Sequence, residues 1–188
     1  MTHFEFLVED QSCGKAMSIL APKMISAAAT YRVISYKGTA RIPKNLKPKT
    51  DPAKRMLLDQ LPKLLRGYGK AQPDSNIVVI CDLDKRDKES FLAELDNALN
   101  SCLPRPNVFF CVAIEEFEAW YLGDLGAIRA AYPAAKNEVL SRYIPDSICD
   151  TWELLADANN SGGEFIGKVG KTWNVLCWCM GLAERVSI

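Results

Sequence analysis

The 188-residue chain is 48% apolar and 24% charged, with 23 basic against 23 acidic residues, which excludes a disordered or fibrous chain and suits one ordinary folded domain. It contains no run of eighteen apolar residues, and the start carries Glu5, Glu9 and Asp10. Neither a membrane span nor a secretory leader is therefore expected, and the expected location is the cytoplasm. Seven cysteines without a C-x-x-C pair read as reduced, mostly buried thiols.

Strand-like and helix-like segments alternate, the pattern of βαβ units around a parallel sheet. The spacing predicts a first strand over residues 3–8 and then a helix from a cap at Ser12 to about Ala28, with Ala16, Ile19, Leu20 and Ile25 facing inward. Residues 31–36 are β-branched and aromatic and predict a second strand. Residues 38–49, with Pro43 and Pro48, read as a loop. Asp51-Pro52 is a helix start, with Leu57, Leu61, Leu64, Leu65 and Tyr68 as the buried face, and Pro62 is expected to kink or split that helix. A third strand follows at 76–81, then a helix over 87–101 that buries Phe91, Leu92, Leu95, Ala98 and Leu99. The fourth strand, 108–114, runs into Glu115, Glu116 and Glu118, read as the first turn of a helix where the macrodipole favours acids. The remainder is predicted helical, with a break at Gly162-Gly163. The expected fold is α/β, a mainly parallel sheet of about four strands flanked by helices over residues 1–125, with a helical extension over 126–188 packed on the same domain.

Charge is unevenly spread. Residues 37–70 hold ten Lys or Arg against Asp51 and Asp59, a balance of +8, and residues 115–164 hold ten acids against three bases, a balance of −7. This reads either as a polyanion-facing surface beside a metal-facing one or as a solvated helix face and a loop.

Candidate chemistry lies at the strand ends. The apolar run before Asp82 stops in Asp82-Leu83-Asp84, and the first strand stops in Glu9. Ligands of open α/β sheets bind outside the carboxyl ends of the strands. A lone D-x-D also suits turn-forming aspartates. A second acidic strand end and the acids after strand four favour a cradle of carboxylates for Mg²⁺ or Mn²⁺. If the strand persists to Asp84, alternation puts Asp82 and Asp84 on one side. Glu115 and Glu118 would share a helix face with Glu116 pointing elsewhere, which leaves Glu118 as a further ligand or an ordinary helix acid. Phe117 and Trp120 are expected core anchors. The segment from Gly162 to Lys168 has phosphate-loop spacing, but Val169 replaces the required Ser or Thr. His3 is the only histidine, reads as a polar strand-edge residue, and leaves no basis for a Ser-His-Asp site.

Leu7-Val-Glu-Asp10 resembles the first strand of receiver domains, but the gap to Asp82 is too long. Haloacid-dehalogenase-type phosphatases place Thr or Val where Arg86 stands. A glutamate ending one strand and D-x-D ending a later one, here Glu9, Asp82 and Asp84, resembles the Toprim-like superfamily of primases, topoisomerases and OLD-type nucleases. More narrowly, Phe6-Leu-Val-Glu-Asp, Ile34-Ser-Tyr-Lys-Gly, Arg41-Ile-Pro-Lys, Val79-Ile-Cys-Asp-Leu-Asp and Glu116-Phe-Glu-Ala-Trp-Tyr-Leu are similar to a bacterial Toprim-related family of unknown function, over about residues 4–157. Glycine often follows the Toprim glutamate. Asp10 takes that place here, as a further ligand or as a cap for the turn.

The resemblance implies metal-dependent cleavage or transfer of a phosphodiester in nucleic acid. Glu9, Asp82 and Asp84 would be the catalytic and metal-binding residues, Glu118 would support a second ion, and Lys37, Arg41, Lys44 and Lys47 would meet the phosphate backbone. The alternative is a non-catalytic metal-binding or regulatory protein acting through a protein partner, with the Trp- and Cys-rich segment from Thr172 onward as an interface.

Overall fold

Four short strands form the centre of the fold: β1 (His3–Val8), β2 (Thr30–Ser35), β3 (Ser75–Asp82) and β4 (Asn107–Ala113), all parallel, in the order β2-β1-β3-β4. The computed structural model describes residues 1–37, 56–146 and 151–159. Between and after the strands run α1 (Gln11–Met24), α2 (Leu57–Ala71), α3 (Lys88–Asn100), α4 (Glu118–Leu122), α5 (Leu125–Ala131), α6 (Asn137–Leu140) and α7 (Thr151–Asn159).

Strand alternation divides the core into two layers. Phe6, Val8, Val78 and Ile80 point to one face and pack with Met17 and Leu20 of α1, Tyr121 of α4, Ile128 of α5, Leu140 of α6 and Leu155 of α7. Leu7, Ile77, Val79 and Cys81 point to the other and pack with Leu57, Leu58, Leu61 and Leu65 of α2 and Phe91, Leu95 and Leu99 of α3. The described part of the helical C-terminal region thus shares the core of the sheet.

The chain steps from β1 outward to β2, then returns past β1 to β3 and β4. Its direction across the sheet therefore reverses between β1 and β3, and the carboxyl ends of those two strands flank the crevice where open α/β sheets bind ligands. Glu9 follows β1 and Asp82 closes β3.

Two expected boundaries are corrected. The cap of α1 lies two residues before the expected one, because Asp10 and not Ser12 takes the extended cap conformation (φ −141°, ψ −178°), and the helix ends at Met24 rather than near Ala28. α2 runs through Pro62 without being split. The missing N–H would have met the carbonyl four residues back, at Leu58 in the helix's first turn, so one bond is forfeited while the buried ring joins the packed face. The expected start at Asp51-Pro52 lies outside the described residues.

Gly69 shows why the α2 packing is tight. A Cβ there would collide with the backbone carbonyl of Pro104, whereas one at Gly67 would meet nothing. Gly69→Ala is expected to cost about 2 kcal/mol through overpacking against backbone. Gly67→Ala should stabilise by about 0.5–1 kcal/mol through helix propensity. Urea midpoints of the two variants should move in opposite directions from wild type.

Candidate functional site

Backbone and side chain lock together across the switch point. Glu9 Oε2 accepts a hydrogen bond from the backbone N–H of Asp82 at 2.9 Å, which ties the end of β1 to the end of β3. Asp10 Oδ1 accepts from the N–H of Cys13 at 2.8 Å and so caps α1, which fulfils the capping reading of this residue.

Asp82 is the electrostatic centre of the site. Burial pushes its carboxyl up to about 9, helped in order by the negative charges of Glu9, Glu118, Asp10 and Asp84. Glu118, only 8% exposed, acts on this group from the first turn of α4. Cys13 lies among the same acids. Burial raises its thiol well above the ordinary range, with Asp10, Asp82, Glu118 and Glu9 adding to the effect, so it stands there as a neutral thiol rather than a nucleophile. The sequence does not single this cysteine out, although Asp10 and Cys13 carry the three-residue spacing of a helix cap.

Asp84 stands apart. β3 ends at Asp82, so strand alternation does not extend to Asp84. Pairing with the end of β4 and the segment after it continues as Leu83 N–H donates to Ala113 O and Asp84 N–H donates to Glu115 O, each at 2.9 Å. Asp84 and Glu115 then both adopt left-handed backbone, φ 51° and 67°. Strain of this kind clusters at functional sites. The Asp84 side chain is 53% exposed and pairs with Arg86 at 3.3 Å, and the Arg86 guanidinium lies 4.6 Å above the Phe91 ring.

Glu115 and Glu116 are not in the first turn of a helix, as expected from the sequence, but precede α4 and serve another one. Glu115 Oε2 accepts from Thr151 N–H at 3.0 Å; Glu116 Oε2 accepts from Trp152 N–H at 3.1 Å and from Thr151 Oγ1 at 3.2 Å. The two acids therefore satisfy the open amides at the start of α7. Phe117 is buried as expected, whereas Trp120 is 38% exposed and rests on Phe117 with ring centroids 4.8 Å apart. It is the one exposed residue of α4, whose other four residues are buried.

Burial pushes the Glu116 carboxyl up to about 7, with Glu115 and Glu118 adding to the rise and the Trp152 and Thr151 donors opposing it. A carboxyl raised by folding contributes stability below its unfolded value of 4.5 and loses it as pH climbs through about 7. Glu116→Gln keeps an acceptor for α7 and removes the charge. It is expected to unfold at higher urea than wild type at pH 8 and to show no gain at pH 4, which paired denaturation curves would check.

Lys37 is exposed, two residues past β2 and on the same carboxyl edge as the acids. Arg41, Lys44 and Lys47 lie outside the described residues. The donor set of Glu9, Asp82 and Glu118 suits a hard divalent cation in chemistry, since all its donors are carboxylate oxygens. Among the described residues, however, no three His, Cys, Asp or Glu side chains stand close enough together to hold an ion. No described helix is long and apolar enough to cross a membrane.

A parallel α/β sheet with acids gathered at its topological switch point defines the general class. A family model described as a domain of unknown function (DUF4276) matches residues 8–157, and the chain belongs to that family. No curated protein and no solved structure matches it.

Proposed function

We propose that this edge supports divalent-metal-dependent cleavage or transfer of a phosphodiester in nucleic acid, as the likeness to Toprim-like proteins implies. The observation that supports it most is the half-buried Asp82 carboxyl at the switch point, pushed up to about 9 by desolvation and by the negative charges of Glu9 and Glu118. Such perturbed acids in a fold's binding crevice are candidates for catalysis.

By their chemistry, though not in their present spacing, Glu9, Asp82 and Glu118 suit Mg²⁺ or Mn²⁺, which would supply polarisation of a phosphoryl oxygen and a more acidic water. The chain's own contribution is positional. The Asp82 N–H fixes the Glu9 carboxylate, and without a cation Asp82 keeps a proton on its carboxyl through neutral pH. Lys37 offers a cation to a phosphate backbone approaching the same edge.

One observation favours the second reading, a non-catalytic metal-binding or regulatory protein working through a protein partner. The described acids do not converge as a set of three, and Asp84 is engaged by Arg86. Incubation of the folded protein with single-stranded DNA, duplex DNA and RNA in Mg²⁺ or Mn²⁺ separates the two. Cleavage that falls at least a hundredfold in Glu9→Gln and Asp82→Asn is the expected result. No cutting of any substrate, or cutting unchanged in those variants, removes the catalytic reading.

A further inference from the structure

β4 is one edge of the sheet and, among the described residues, pairs on its inner side alone, with β3. The carbonyl of Ala113 accepts from Leu83 on the β3 side. Direction alternates along a strand, so Asn107, Phe109, Cys111 and Ala113 turn their backbone groups toward β3. Val108, Phe110 and Val112 turn theirs outward.

Natural edges are usually blunted by charge, proline or a bulge. β4 reads Asn-Val-Phe-Phe-Cys-Val-Ala, without a charge or a proline, and Phe109 is 50% exposed. The opposite edge, β2, carries Arg32. The β4 sequence is also self-complementary when reversed about Phe110. Phe110 then faces its own counterpart, Val108 faces Val112, and Phe109 faces Cys111, so the central pairs are all apolar, and only the end pair, Asn107 with Ala113, brings in a polar side chain.

We propose that β4 pairs antiparallel with β4 of a second copy of the chain, about a two-fold axis at Phe110, joining two sheets into one. In this register the outward groups of Phe110, Val108 and Val112 meet as hydrogen-bonded pairs. Phe109 and Cys111 fall in the closer, non-hydrogen-bonded pairs. The isologous symmetry repeats each contact twice.

Sedimentation equilibrium of the full chain tests this. Wild type is expected at twice the 20.9 kDa chain mass at tens of micromolar. The double variant F109K/C111K sets lysine against lysine across the axis and should halve that mass. F109K/C111E sets lysine against glutamate and should restore the dimer. Independently of those variants, Phe109→Cys should form an intersubunit disulfide with Cys111 on oxidation, seen as a covalent dimer on a non-reducing gel and absent from F109C/C111S. A monomeric wild type, a dimer that survives F109K/C111K in folded form, or a Phe109→Cys chain that does not cross-link overturns the proposal.

Discussion

Asp82→Asn is expected to stabilise the protein at alkaline pH while disabling its site. The Asp82 carboxyl is raised from 3.8 to about 9 by burial and by the acids around it. Because the folded value lies above the unfolded one, its contribution is fully present below 3.8 and is lost as pH rises through about 9. Ionised Asp82 in that setting therefore opposes folding. Each tenfold weakening of an acid on folding corresponds to about 1.4 kcal/mol, so the ceiling is several kcal/mol, and solvent relaxation in a crevice reduces it. The asparagine keeps the shape and cannot ionise. We expect a gain of about 2 kcal/mol over wild type at pH 9, and none at pH 4. Urea unfolding at the two pH values reads both, and a variant whose stability follows pH as wild type does would contradict the assignment of the strain to Asp82. The price of placing acids together is thus a less stable fold, a common cost of functional sites.

The second large effect concerns a cluster remote from the carboxyl edge. Glu5, in β1, is 1% exposed and is bound by Arg32 of β2 through Nε to Oε2 at 2.9 Å and Nη2 to Oε1 at 2.8 Å. Tyr68 of α2 donates its hydroxyl to Oε2 at 3.3 Å, and His3 Nε2 lies 3.1 Å from Oε1. Glu5 holds the Arg32 guanidinium more firmly protonated than usual, and burial beside Glu5 raises the Tyr68 hydroxyl. Arg32→Met removes the two-pronged partner and leaves a carboxylate in the sheet interior with weaker donors. Breaking a fully buried pair costs about 3–5 kcal/mol, and the 57% exposure of Arg32 lowers the expectation to about 2 kcal/mol. Replacing both partners, E5L/R32M, is expected to recover most of that loss, because two apolar side chains leave no stranded charge. A double-mutant cycle in urea measures the coupling, and additive losses would show that the pair does not act as a unit.

The sheet was legible because its signals are local. Apolar runs of five to eight residues, ending in acids or polar turns, mark all four strands to within one residue at each end. The third helix was equally plain: expected over 87–101, it runs Lys88–Asn100, with Asp87 as a cap that accepts from Ser90 N–H at 2.9 Å. Misreadings arose where two local choices competed or where the partner was distant. Asp10 and Ser12 are both cap residues, and only the backbone angle decides between them. Glu115 and Glu116 look like ordinary helix-start acids until Thr151 and Trp152 arrive from beyond residue 150. The Glu5–Arg32–Tyr68 cluster joins residues 27 and 63 positions apart, and no local pattern announces it. The strand ends alone suggested Glu9, Asp82 and Asp84 as one cluster, with Glu118 added from the helix after strand four; the departure of Asp84 was not legible, since it depends on the backbone turning left-handed just after β3.

Calorimetric titration of Mn²⁺ into the folded protein tests the metal-site account most directly. Saturable binding to wild type is expected, lost in Asp82→Asn and Glu9→Gln and weakening as pH falls, since protons compete for the same carboxylates. Absence of binding to wild type, or binding of equal strength in both variants, would contradict it.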